Sequence, residues 1–176
     1  MTRRAQIIAV ATKLFRERGF HAVGIDEIGT AAGISGPGVY RHFENKDNLL
    51  VSVFEEATDD LWSDLDPDEH PSVEAYVRSH VAYALAHADA IELWYQEGRH
   101  LPREAQRAQR RLQRRYIERW VDALREERPE LNADEAGIVV QATIGLIHST
   151  VHSERTVDPT TLGGVLRRMA IAALRA

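Results

Sequence analysis

Gly24–Leu50 reads GIDEIGTAAGISGPGVYRHFENKDNLL. A short helix is predicted from about Ile25 to Ala32. Gly24 stands at its N-cap, and Asp26 and Glu27 complement the dipole in its first turn. Gly33 stops it. Ser35 then caps a second short helix, from about Gly36 to Phe43. Pro37 lies in that helix's first turn, where its missing N–H costs nothing. Two short helices joined by Gly-Ile-Ser have the pattern of a helix-turn-helix, spanning about residues 24–43. Helices of this length are marginal alone, so a third must support them. Arg3–Arg18 supplies it: Ile7, Val10, Ala11, Leu14 and Phe15 share one face, and Gly19 ends it. The expected core of this head is Leu14, Phe15, Phe20, Ile25, Ile28, Ala32, Ile34, Val39 and Phe43.

The second short helix carries the chemistry. Val39 and Phe43 are four apart and face inward, which turns Pro37 and Arg41 outward. Tyr40 and His42 flank the buried stripe. A tyrosine hydroxyl and a histidine ring can reach phosphates, and Arg41 can fork onto guanine O6 and N7. Asn45 is the expected cap of the next helix, which starts at Lys46 and runs to about Leu65. A lysine in a first turn opposes the helix dipole. The choice makes sense if a phosphate docks there; the plainer alternative is a solvated surface lysine.

Beyond the head the helical period continues and strand signals are almost absent, so the fold class is all-α with about nine helices. Asp66–Pro71 is acidic, contains two prolines, and is the best linker candidate. Helices are expected at about Ser72–His87, Asp89–Gly98, Pro102–Arg128, from after Asn132 to His152, and Pro159–Leu174. The expected division is a DNA-binding head at 1–61 and a helical body at 62–176. Net charge is -5, but residues 1–55 carry about +1 and the acidity lies in the rest. A chain acidic overall argues against non-specific DNA coating and leaves room for a local basic face. The chain has no cysteine, which excludes disulfides and thiolate metal sites. Neither a secretory leader nor a membrane-length apolar run is visible, so the expected setting is the cytoplasm.

The stretch Gly24–Leu50, with RRAQIIAVATKLFRERGF before it, resembles the DNA-binding region of the TetR family of bacterial transcription regulators. Tyr-x-His-Phe followed by Asn-Lys-Asp and a leucine pair is the specific part. The resemblance covers the first third of the chain closely and the remainder only as an all-helical body. It implies phosphate contacts from Tyr40, His42 and Lys46, with Pro37, Gly38 and Arg41 at base edges. Ser35 and Gly36 complete the expected DNA-binding set. Gly24 departs from the Thr or Ser usual at its position, and Gly38 from the usual Thr or Ala. Each loses a side-chain contact, and sequence reading then leans on Arg41.

The resemblance also assigns the body two tasks, dimerisation and effector binding. Ala142, Gly145, Leu146 and Ser149 are small or apolar at helical spacing, and Leu162, Val165, Leu166 and Met169 form a stripe on the last helix. These are the expected homodimer residues; burial in the monomer is the alternative. The expected ligand pocket draws on Trp62, Tyr76, His80, Tyr83, Trp94, Tyr95, Leu112, Tyr116, Trp120, Ile144 and His148, for a fatty acid, acyl-CoA or aromatic compound. Tyrosine and tryptophan offer apolar surface with a polar handle, although each could equally be ordinary core.

The helix from Pro102 to Arg128 has seven arginines between Arg103 and Arg119 against two glutamates. Arg107, Arg110, Arg111, Arg114 and Arg115 lie mostly off its inner face. A solvated face and an entrance for an anionic ligand are both open. His148 and His152 are four apart, yet only Glu154 is near as a third ligand and its spacing is poor, so no metal is expected. No cofactor is expected either, and no nucleophile motif, phosphate-binding glycine loop or catalytic carboxylate pair is present. The rival function is an all-helical carrier or enzyme whose helix-turn-helix is only structural; the other is a non-specific architectural DNA binder.

Overall fold

The computed structural model describes residues 1–63, 71–150 and 157–176. Most of the predicted linker lies outside these residues, as do His152 and Glu154. Among the described residues there are nine α-helices and no strand. They are α1 (Arg3–Arg18), α2 (Ile25–Ala31), α3 (Gly36–Val39), α4 (Lys46–Ser63), α5 (Val73–Ala86), α6 (Ala88–Glu97), α7 (Arg103–Glu127), α8 (Ala133–His148) and α9 (Pro159–Arg175). The chain divides into two compact units, Met1–Thr58 with Asp89–Arg107, and Asp59–Ala88 with Ala108–Ala176.

The first unit is built on α1, α2 and α3. The Thr2 side chain caps α1 on the Ala5 N–H, and Gly19 closes it at φ 82°. Ile7, Ala11, Phe15, Ile28, Ala32 and Val39 are fully buried, as the helical period predicts. Leu14, Ile25 and Ile34 are only half-buried. Gly33 takes φ 71°, a conformation that favours glycine. Gly29 has a different task. A Cβ there would lie 2.9 Å from the Gly36 nitrogen and 3.0 Å from the Ile34 oxygen. The backbone of α2 therefore meets the start of α3 with no side chain between.

Helix α3 is shorter than predicted, ending at Val39 rather than Phe43. Two of its four residues are glycine, a poor helix former. The turn then continues: His42 N–H donates to the Val39 carbonyl at 2.9 Å and Phe43 N–H to the same carbonyl at 3.1 Å. Tyr40, Arg41 and His42 thus keep helical placement without belonging to the helix.

The first unit also includes Asp89–Arg107, which the sequence pattern assigns to the body. Local chemistry accounts for the difference. Arg16 pairs with Asp89 at 3.2 Å and with Glu92 at 3.4 Å. The Phe20 N–H donates to Glu97 at 3.0 Å, and Trp94 packs edge-on against Phe54. None of these pairings follows a helical period, so none is visible in the sequence.

In the second unit α5 packs on α8 and α9, and α8 on α9. Asn132 and Glu135 form a reciprocal capping box at the start of α8. Asp158 caps α9, with Pro159 in its first position. Trp120, Tyr76, Leu124, Ile147 and Leu174 make the fully buried centre. Leu166, predicted to face a second subunit, is 2% exposed and belongs to this core. The reason is the neighbouring Gly163, which brings α9 against Leu85 of α5.

Gly29→Ala should destabilise the first unit by about 1–3 kcal/mol through overpacking against rigid backbone. Thermal unfolding should show a midpoint about 5 °C lower, and an unchanged midpoint would refute the close-approach role.

Candidate nucleic-acid interface and aromatic cluster

Ser35 caps α3 by accepting from the Gly38 N–H, which fixes the helix start and leaves the next turn outward. Ser35, Pro37, Tyr40, Arg41 and His42 are exposed there. Tyr40 is 54% exposed, a large value for an aromatic with nothing to do. Among the described residues neither Tyr40 nor Arg41 has a side-chain hydrogen bond or ion pair. The His42 ring lies only against Phe43. Gly36, included in the expected DNA-binding set, is buried, and a Cβ there would collide with Asp26. Its part is to let α2 and α3 meet.

Lys46 is partnered from within. Its ammonium donates to the Phe20 carbonyl at 2.9 Å and the Val23 carbonyl at 3.0 Å. It also sits 4.4 Å from the centre of the Phe20 ring. The cation that opposes the α4 dipole is thus offset by two carbonyl dipoles and a π face, and a phosphate is not needed to explain it. Asn45 caps α4 as predicted, accepting from the Asn48 N–H at 2.8 Å. Arg4 bonds Ser52 at 2.8 Å and lies over the Phe43 ring. Lys46 and Arg4 both stitch the exposed turn to its support.

The second unit holds most of the predicted pocket residues in one aromatic cluster. Tyr76 stacks on Trp120, and Tyr116 meets Trp62, Tyr76 and Trp120 edge-on. His80 lies against Tyr83, Tyr116, Trp120 and His148. His80 Nδ1 is 3.1 Å from the Tyr116 hydroxyl, and its Nε2 is 3.0 Å from His148 Nε2. One proton must sit between the two Nε2 atoms, so the bond requires at least one neutral ring. Burial, reinforced by His148, holds the His80 pKa well below the ordinary imidazole value. Burial, with Tyr76 and Tyr83 adding to it, pushes the Tyr116 hydroxyl well up. Leu112 and Ile144 are half-buried. Trp94 and Tyr95 belong to the first unit, and Tyr95 is 58% exposed.

On α8, Ala142, Gly145 and Ser149 are exposed, and Ile138, one turn before them, is 68% exposed. On α9, Val165 and Met169 are 36% and 50% exposed, while Leu162 and Leu146 are half-buried. Ile138 escapes the sequence pattern because nothing in an apolar helix marks which isoleucine stays uncovered.

Two family descriptions match the chain. Residues 7–53 match bacterial regulatory proteins of the tetR family, and residues 66–152 match the tetracyclin repressor-like C-terminal domain. This chain belongs to the tetR family. Among curated relatives, the transcriptional activator FasR of Mycolicibacterium smegmatis is 43% identical over 61 residues, covering 35% of this chain and 28% of that protein. The transcriptional repressor KstR2 of Rhodococcus jostii is 29% identical over 105 residues, covering 56% and 52%. The matched region thus spans about half or less of these relatives. The fold is that of PfmR from Thermus thermophilus, with TM-score 0.80, 21% identity and 97% of each chain covered. AibR, solved with isovaleryl coenzyme A and operator DNA, has TM-score 0.77 at 15% identity, covering 96% of this chain and 97% of that one. The relatives are transcription regulators and not enzymes, which leaves the reading as an enzyme or carrier without support.

Two outcomes follow. Lys46→Ala should lower the melting midpoint and weaken DNA binding, yet leave the slope of log affinity against log salt unchanged. A slope smaller by about 1 would make Lys46 a phosphate contact after all. For His80, the unfolded chain binds a proton below its ordinary value near 6.5 and the folded chain resists it. The stabilisation is present above that pH and lost as pH falls below it. His80→Gln should flatten the drop in melting midpoint between about pH 7 and pH 5; an identical drop would assign the pH dependence elsewhere.

Proposed function

We propose that this chain is a homodimeric, ligand-responsive transcription regulator that represses from a pseudo-palindromic DNA operator and is released by a small apolar or amphipathic effector. The observation that carries it is the exposed turn Tyr40–His42, held in helical placement and with Tyr40 and Arg41 unpartnered. Side chains left unsatisfied at the surface on a hydrogen-bonded backbone turn suit a partner that supplies acceptors, and a DNA groove supplies phosphates and guanine edges. In this reading Tyr40 and His42 position the protein on phosphates, Arg41 reads a base, and Ser35, Pro37 and Gly38 approach the groove. Lys46 supports the turn. Residues 1–61 are the reading head and 62–176 the body.

Dimerisation through α8 and α9 is supported by the exposed apolar residues Ile138, Val165 and Met169 beside Ala142, Gly145 and Ser149. A two-fold dimer places two recognition turns about 34–36 Å apart on successive major grooves. Effector binding is supported by the aromatic cluster and by the likeness to AibR, solved with a thioester and operator DNA. Helix α4 supplies Lys46–Thr58 to one unit and its remainder to the other, a covalent route by which a ligand in the body can alter the head. The ligand must bind the DNA-competent and incompetent states unequally. Such a protein works in the cytoplasm, and among the described residues no helix is long and apolar enough to cross a membrane.

Selection of bound sequences from random DNA should enrich a pseudo-palindrome at moderate salt. Arg41→Ala should lose preference at one position per half-site, by about 1–3 kcal/mol. A pool with no enriched palindrome would overturn the proposed function; a uniform loss with Arg41→Ala would make that residue a phosphate contact.

A further inference from the structure

Gly38 is a glycine that the fold itself does not need. It lies in α3 and is half-buried. Among the described residues only Gly19 and Gly33 take positive φ, so the backbone at Gly38 is open to any residue. A Cβ there would stand 3.4 Å from the Ile34 Cβ, 3.4 Å from the Ser35 Oγ and 3.5 Å from the Ile34 Cδ1. These are ordinary van der Waals distances. Gly29 and Gly36 differ, since a Cβ at either would collide with backbone or with Asp26. Glycine is also a poor helix former, and α3 has only four residues. Packing and conformation would both accept alanine. A bare backbone at the surface is the device that lets a ligand come close.

The space left by the missing Cβ is a recess the size of a methyl group. Ile34, itself half-buried, forms its apolar wall, and the Ser35 side chain closes one side. One helical turn further on stand Arg41 and His42, both exposed. The polar groups around the recess are engaged. The Gly38 N–H donates to the Ser35 carbonyl at 2.8 Å and lies 3.3 Å from the Ser35 Oγ, which caps the helix through it. The Gly38 carbonyl accepts from the Arg41 N–H at 3.4 Å. The recess therefore offers a partner shape and apolar contact, not a donor. It lies on the same turn as Arg41, whose guanidinium is free to take a polar base edge.

Resting on the DNA-reading proposal above, we propose that this recess takes the C5-methyl group of one thymine in each half-site, which makes Gly38 a specificity-determining residue. In the major groove thymine alone presents a methyl group; the other bases present hydrogen-bonding edges. A methyl group seated where the Cβ would stand lies within van der Waals reach of two Ile34 carbons. A phosphate oxygen in the same place would meet those carbons and find the amide already spent. Alanine at position 38 would fill the recess from within and shut the thymine methyl out.

The test uses the full chain and the palindrome enriched from random DNA. Deoxyuridine replaces thymidine at one half-site position at a time, which removes the methyl group and nothing else. Affinity is read by fluorescence anisotropy at fixed salt. One position per half-site should weaken wild-type binding about threefold, the scale of one buried methyl group. Gly38→Ala should cancel or reverse that difference at the same position, without a lower melting midpoint. Gly38→Ser fills the same space and should do likewise if alanine disturbs the turn. Equal binding of thymidine and deoxyuridine at every position would overturn the proposal. So would a difference kept or enlarged in Gly38→Ala, because the methyl group would then be met elsewhere or by the new side chain. Loss of all binding in a folded Gly38→Ala, thymidine and deoxyuridine alike, would also overturn it, since the bare backbone would then face something other than a methyl group. A palindrome without the methyl effect sinks only the recess; no enriched palindrome sinks the regulatory reading, and the recess with it.

Discussion

Everything in the head depends on a backbone-to-backbone approach at Gly29. Helices α2 and α3 have seven and four residues, too few to hold themselves. They persist because they touch each other without an intervening side chain and because α1 covers the buried side. Gly29 and Gly36 are the two faces of that contact, each with space for a hydrogen and not for a methyl group. Once the two helices meet at that distance, Gly33 must turn the chain at positive φ. Val39 and Phe43 must then point inward, and Tyr40 and Arg41 must point out. The exposed turn is a consequence of the glycines, not of any polar contact its side chains make.

Lys46 extends the same logic from helix packing to loop placement. Its ammonium gathers the Phe20 and Val23 carbonyls, which belong to the chain between α1 and α2. One side chain at the start of α4 therefore fixes the loop that leads into the helix-turn-helix. Arg4 adds a second tie, from α1 to Ser52 of α4 and the Phe43 ring. The cations near the exposed turn divide by this measure. Lys46 and Arg4 are committed inward, and Arg41 is left for an outside partner.

The local rules were legible in the residues, and the long-range pairings were not. Caps at Ser35, Asn45, Asn132 and Asp158 and stops at Gly19 and Gly33 announce themselves because they act within a turn of their own position. The inward side of α7 follows from a period of 3.6, and so Tyr116 and Trp120 were found. What Asp89 and Glu92 do was hidden, since pairing with Arg16 depends on where α6 lands and not on spacing along it. For the same reason Trp94 looked like Trp62 in sequence, yet it packs on Phe54 in the other unit. Leu166 was misplaced because periodicity identifies an apolar stripe without saying whether a neighbouring helix or a second subunit covers it. Lys46 was assigned an anion on sound electrostatics, but the offsetting dipoles came from backbone 23 and 26 residues away.

The aromatic cluster has a constraint of its own. His80 is fully committed: Tyr116 occupies one ring nitrogen and His148 the other. It therefore has no free group for a ligand unless that chain of bonds is broken. Burial keeps His80 neutral, and one neutral ring is what the bond between the two Nε2 atoms needs. The center of the cluster is thus polar but closed, and its open hydrogen-bonding capacity lies at the indoles and Ser79. A ligand seeking a partner among these side chains meets donors that are free at Trp62 and Trp120 and donors that are already spent at His80.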